Sequence, residues 1–183
     1  ESYDKVESLV REALQVGERE TGMIDIFSNL DTVLDEDFRH PIPIGIPGID
    51  RLLKGGLAKG EIGVILAPTG VGKTTILTKI ANTAFNLGYN VLQIFFEDNP
   101  KIVQRKHFTL WTGIEPDNLV QHKVEVMAKI TEIQETMKNE LILQKLPSDT
   151  MTMNQIKNQV RKMIAEGNKI DMIIIDYIDC IVP

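Results

Sequence analysis

The segment Ala67-Pro68-Thr69-Gly70-Val71-Gly72-Lys73-Thr74-Thr75 constrains this chain more than any other feature. It follows an apolar run, Ile62-Gly63-Val64-Ile65-Leu66, and leads into a segment whose apolar residues Ile76, Leu77, Ile80 and Ala84 share one helical face. A G-x-x-x-x-G-K-[ST] pattern between a strand and a helix is a phosphate-binding loop, in which backbone N–H groups of a glycine-rich turn cradle nucleotide phosphates. Gly70 and Gly72 supply the backbone freedom. Lys73 is placed to neutralise the β- and γ-phosphates of ATP, Thr74 to offer its hydroxyl to Mg2+, and the helix starting there points its positive end at the anion. Pro68, Thr69, Val71 and Thr75 complete the expected nucleotide-binding set. Ala67 stands where the pattern has glycine, a mild change because the turn proper runs from Thr69 to Gly72.

A second motif lies about a hundred residues on, at Met172-Ile173-Ile174-Ile175-Asp176. This unbroken apolar run, three isoleucines in a row, has no alternation and reads as a central parallel strand buried on both faces. Asp176 then sits at the carboxyl end of its strand, where open α/β sheets bind ligands, opposite Thr74 as a second holder of the metal or its water shell. A further strand is expected over Val91-Leu92-Gln93-Ile94-Phe95-Phe96, ending in Glu97-Asp98. A carboxylate at the tip of a strand beside a phosphate loop is in range of the γ-phosphate, so Glu97 is read as the group that orients and deprotonates the attacking water. The other reading is an exposed loop acid.

Composition agrees with a nucleotide-binding α/β domain. The chain has 183 residues, of which 43% are hydrophobic and 25% charged, ordinary for a globular domain with a sizeable core. It begins at Glu1 and stops seven residues past Asp176 (183 − 176), which is expected of a fragment of a longer protein. No apolar run approaches the roughly 18 residues of a membrane span, and the acidic N-terminus has no signal-peptide character. The single cysteine, Cys180, is read as a plain buried thiol in a reducing cytoplasm. A net charge of −6 leaves no global basic surface, so any grip on DNA must come from a local groove, a pore or residues beyond Pro183.

Along the chain, Val6, Leu9, Val10, Ala13 and Leu14 form one apolar helical face before Gly17, and Met23 to Leu34 repeats the habit. Residues 1–40 are thus expected to be linker helices, which either cover the core or dock on a neighbouring subunit. The proline- and glycine-rich stretch from His40 to Gly48 is the entry to a core spanning 41–183. Within it, helices are expected at Ile49–Leu53, from Lys73 to a stop at Gly88, at Pro100–Thr112, Asn118–Lys138 and Thr152–Ala165, with a short strand at Leu141–Leu143. Trp111 and Phe108 are read as core residues. His40, His107 and His122 are scattered and read as solvated or capping side chains rather than metal ligands.

The run from Gly45 to Leu57 (Gly45-Ile46-Pro47-Gly48-Ile49-Asp50-Arg51-Leu52-Leu53-Lys54-Gly55-Gly56-Leu57), the phosphate loop that starts at Ala67, Phe96-Glu97 and Ile174-Ile175-Asp176-Tyr177 resemble the C-terminal ATPase domain of DnaB-type replicative helicases. The likeness spans about Gly45 to Pro183, and Leu143-Gln144-Lys145-Leu146-Pro147 before a Thr-Met-Asn-Gln-Ile helix resembles the phage-encoded forms. Ala67 is tolerated in that family. The resemblance implies a RecA-like P-loop NTPase fold with a mainly parallel sheet flanked by helices. It also implies a hexameric ring and ATP- and Mg2+-dependent movement along single-stranded DNA at a replication fork, with a primase or helicase loader as partner. It assigns Lys73 and Thr74 to phosphate and Mg2+, Glu97 to catalysis and Asp176 to the metal side. A basic residue that the family carries after the glutamate corresponds to Arg105 or Lys106. The family's DNA-binding loops and arginine finger are expected beyond Pro183, so the isolated chain is expected to be a poor ATPase. A recombinase, a KaiC-type ATPase, which shares the Gly55-Gly56-Leu57 approach, and a nucleotide-binding assembly module without turnover are the other readings.

Overall fold

The computed structural model describes Ile26, residues 39–68 and residues 70–182. The expected N-terminal helices and Thr69 of the phosphate loop lie outside the described residues. Residues 39 onward form one compact unit. Its elements are helix α1 (Pro47–Leu52), helix α2 (Lys73–Asn86), strand β1 (Val91–Phe95), helix α3 (Pro100–Thr112), helix α4 (Lys123–Thr136), strand β2 (Leu141–Lys145), helix α5 (Met153–Ala165), strand β3 (Met172–Asp176) and a 3-10 turn at Ile178–Cys180.

The three strands make a parallel sheet in the order β2-β1-β3, with Val91 opposite both Leu141 and Met172 and Phe95 opposite both Lys145 and Asp176. Helices lie on both faces. On one, Ile80, Ala81, Ala84 and Phe85 of α2 close over Val91 and Ile174. On the other, Ile156 of α5, with Val160 and Met163 partly buried, packs against Leu92, Ile94 and Phe96. The alternate residues of β1 thus feed both layers, which is how a parallel strand becomes buried throughout.

Local chemistry sets the helix ends. Asn99 precedes α3 and its Oδ1 accepts from the Lys101 N–H at 2.9 Å, with Pro100 at the first helical position where a missing N–H costs nothing. Thr152 and Gln155 form a reciprocal capping box on α5. Helix α4 begins at Lys123, five residues later than the expected Asn118, because residues 116–122 form turns. At the amino ends of the strands Asn90 stitches the sheet: its N–H and Nδ2 both donate to Asp171 Oδ2, at 2.7 and 2.9 Å, while its Oδ1 accepts from the Glu140 N–H at 3.0 Å.

Two expectations are corrected. Ile62-Gly63-Val64-Ile65-Leu66 makes no ladder with the sheet, and Ile62, Val64 and Leu66 are 88%, 73% and 91% exposed, whereas Ile65 turns inward onto the α2 side of the core. The run has the composition of a buried strand without a neighbour covering its outer side chains, and composition alone does not close a ladder. Among the described residues β3 therefore lies at the edge of the sheet with Ile173 exposed, and β1, not β3, is the fully buried central strand.

Candidate functional site

All three strands run the same way, so their carboxyl ends share one edge of the sheet, and Asp176 and Glu97 are found there. Asp176 is the last residue of β3. Glu97 follows β1 by two residues, past Phe96, whose N–H donates to the Asp176 carbonyl at 3.3 Å. Helix α2 begins at Lys73, with Gly72 as its N-cap at φ 97° and Gly70 at φ 84°, left-handed conformations that favour glycine. No side chain caps α2, so its first N–H groups remain open to a ligand.

Within the loop, Pro68, Gly70, Val71 and Thr75 are exposed, and Gly72, Lys73 and Thr74 half-buried. The Lys73 ammonium donates to the Ala67 carbonyl at 2.7 Å, folding across its own loop. Its Nζ also stands 5.8 Å from the centre of the Tyr177 ring. Tyr177 in turn donates from its hydroxyl to Glu97 Oε1 at 2.8 Å. Lysine, tyrosine and glutamate thus form a chain from the phosphate loop across the end of β3 to the end of β1. The Glu97 carboxylate and then the Cys180 thiol push the Tyr177 phenol above its ordinary range, so it remains a protonated donor.

Asp176 is largely buried as a residue, and among the described residues no hydrogen bond or ion pair joins its carboxylate, or the Thr74 hydroxyl, to another side chain. Among the described residues no group of three or more His, Cys, Asp or Glu could hold an ion alone. One hydroxyl and one carboxylate, Thr74 and Asp176, are the kind of oxygen set that Mg2+ takes, since it uses one or two protein oxygens and completes its shell with phosphates and water.

Two features escaped the sequence reading. Tyr177 was read only as part of the Ile174-Ile175-Asp176-Tyr177 motif, with no role of its own. His107 is a correction, since it is neither solvated nor capping but fully buried between α2 and β1. Its Nδ1 lies 2.6 Å from Asn82 Oδ1 and its Nε2 3.0 Å from Gln93 Oε1, while Gln93 Nε2 has no partner. A half-turn of the Gln93 amide lets it donate to the imidazole lone pair, with Nδ1–H donating to Asn82. Desolvation pushes the imidazole down to about 4, so it is neutral. Of the two basic residues after Glu97, Lys106 pairs with Asp98 at 2.6 Å and Arg105 is exposed. Cys180 is buried, as expected. Among the described residues no helix is long and apolar enough to cross a membrane.

Comparison with known proteins agrees with this fold. A structure described as that of a DnaB-like replicative helicase and its interactions with primase matches 97% of this chain and 44% of its own, with a TM-score of 0.70 at 17% identity, a likeness of fold. Relatives named DNA repair protein RadA match as well. That of Rickettsia felis is 25% identical over 161 residues, covering 88% of this chain and 29% of the relative. That of Aquifex aeolicus is 30% identical over 99 residues, covering 54% and 22%. The chain spans less than a third of the length of these curated relatives. Residues 41–183 match the family described as DnaB-like helicase C terminal domain, and a match over most of the chain on a three-stranded parallel sheet flanked by helices decides the point: the chain belongs to the DnaB-like helicase C-terminal domain family.

Proposed function

We propose that this chain is the ATP-binding and hydrolysing motor of a hexameric replicative helicase, which unwinds duplex DNA by moving on a single strand. The observation that carries the reading is the meeting of an uncapped phosphate-loop helix, Lys73, Asp176 and Glu97 at the carboxyl edge of a parallel sheet in a chain of this family. Residues 1–40 are read as linker helices ahead of a core at 41–183. Lys73 and the loop N–H groups would hold the phosphates of ATP, and Thr74 and Asp176 are the residues that would hold Mg2+. When bound, the metal neutralises charge that develops on the transferring phosphoryl group. Glu97 takes the proton of the attacking water, whose oxygen bonds the γ-phosphorus as the bridging bond to ADP breaks. Either Arg105 or Lys106 stands for the basic residue that follows the glutamate in this family. Single-stranded DNA, a primase or helicase loader and a cytoplasmic setting belong to the same reading.

The RadA likeness favours a second reading, a DNA-repair ATPase on the same fold, but the family match spans more of the chain than most of those alignments. The test is Lys73→Ala in the full-length protein, because Lys73 is the loop's own cation. The variant is expected to lose ATP hydrolysis and to bind a non-hydrolysable ATP analogue at least about tenfold more weakly in isothermal titration. Equal affinity in variant and wild type would sink the assignment of the loop. Strand displacement by the wild type on a forked duplex separates the helicase from the repair reading.

A further inference from the structure

The parallel register decides which residues meet at the site although they are far apart in the chain. Phe95 lies opposite Asp176, so the next residues carry Glu97 and Tyr177 out at the same edge, 80 positions apart in sequence. The Glu97 backbone is held, since its carbonyl accepts from Lys145 Nζ at 3.2 Å. Its side chain is exposed, and an exposed glutamate samples several rotamers unless something selects one. Only the Tyr177 hydroxyl, at 2.8 Å from Oε1, makes a side-chain hydrogen bond to it among the described residues. That bond engages Oε1 and leaves Oε2 free. The same tyrosine presents its ring to the Lys73 ammonium at 5.8 Å, so one side chain faces the phosphate-loop cation and bonds the carboxylate.

We propose that Tyr177 is a positioning residue for Glu97: its hydroxyl fixes Oε1 so that Oε2 faces the water of hydrolysis, and its ring spaces this carboxylate from Lys73. The proposal rests on the reading of Glu97 as the base that takes the water's proton. Tyr177 gives up no proton; its contribution is to keep the acceptor within hydrogen-bond reach of the proton that moves. A residue of this kind affects turnover and leaves nucleotide affinity alone, since the phosphates are held by the loop.

The test is Tyr177→Phe in the full-length protein, which deletes the hydroxyl and keeps the ring. The expected result is a kcat for ATP lowered about tenfold, the loss of one charge-assisted hydrogen bond, with KM and the affinity for a non-hydrolysable analogue within about twofold. In a Glu97→Gln background, adding Tyr177→Phe is expected to lower the residual rate no further, because the two residues act as one unit. A kcat within about twofold of wild type overturns the proposal, as does a parallel fall in kcat and nucleotide affinity, or losses that multiply in the double variant. The two readings fail separately. An active Glu97→Gln enzyme removes the base on which the proposal depends, whereas an inactive Glu97→Gln enzyme beside an undisturbed Tyr177→Phe enzyme removes the proposal alone.

Discussion

Glu97 and His107 belong to the same part of the fold and meet opposite demands. Glu97 is exposed at a strand end, where a carboxylate can exchange a proton with water. Glu97→Gln keeps the shape of the side chain and cannot accept that proton, so Mg2+·ATP binding is expected to persist while hydrolysis falls about 10²-fold or more. Hydrolysis within about threefold of wild type would make Glu97 a loop acid only. His107 is sealed in the core and neutral. Its folded pKa, pushed down to about 4, lies below the ordinary 6.5 of the unfolded chain, so between these values the unfolded state binds a proton that the folded state refuses. The stability it contributes is therefore fully present above pH 6.5 and is lost as pH falls toward 4, by about 2 kcal/mol at pH 5. Urea unfolding at pH 7 and pH 5 measures this, and in His107→Gln the pH 5 deficit should shrink by about that amount. An equal deficit in variant and wild type would mean that the imidazole titrates normally.

At the scale of elements, the sheet is set in register at its amino edge and used at its carboxyl edge. Asn90 joins Asp171 before β3 to Glu140 before β2, and so fixes both neighbours of β1 at their first residues. A one-residue slip would turn every side chain of a strand to the wrong face and separate Glu97 from Tyr177. Asn90→Ala removes the side-chain bonds at a partly exposed position and is expected to cost about 1 kcal/mol, read as a lowered urea midpoint at unchanged slope. An unchanged midpoint would assign the register to core packing alone. The approach to the phosphate loop is fixed in a similar way. Arg39 grips Glu61 through Nε–Oε1 at 2.8 Å and Nη2–Oε2 at 2.9 Å, and the guanidinium also donates to the Lys54 and Gly56 carbonyls. A Cβ on Gly56 would collide with the Ile42 carbonyl, so the Gly55-Gly56 turn passes close under the chain that enters the core.

For the whole molecule, charge and assembly are linked. The phosphate loop contributes one lysine, and the chain carries a net charge of −6. Phosphoryl transfer gains roughly 10³ or more from a second cation that a neighbouring subunit can supply. In the hexameric reading, ATP turnover per chain is expected to fall at least about tenfold when the full-length protein is diluted below its assembly concentration. Turnover per chain that is independent of concentration, with assembly followed by light scattering, would show that each subunit carries a complete site.

Much of what is settled within a few turns of chain was legible in the sequence, the late start of α4 at Lys123 excepted. The phosphate loop, the helix from Lys73, the bounds of Pro100–Thr112 and the strand ending at Asp176 follow from glycine, proline, capping side chains and periodicity, which act on adjacent residues. The grouping of Lys73, Glu97 and Asp176 at one edge was legible as well, because a parallel sheet sends every strand end the same way. Pairing and burial depend on residues distant in the chain. The sequence therefore did not reveal that Ile62–Leu66 stays unpaired, that β1 rather than β3 is central, or that His107 lies inside against Asn82 and Gln93. Nor did it show the Tyr177–Glu97 bond, since a register shift of one residue, invisible to any local signal, would have broken it.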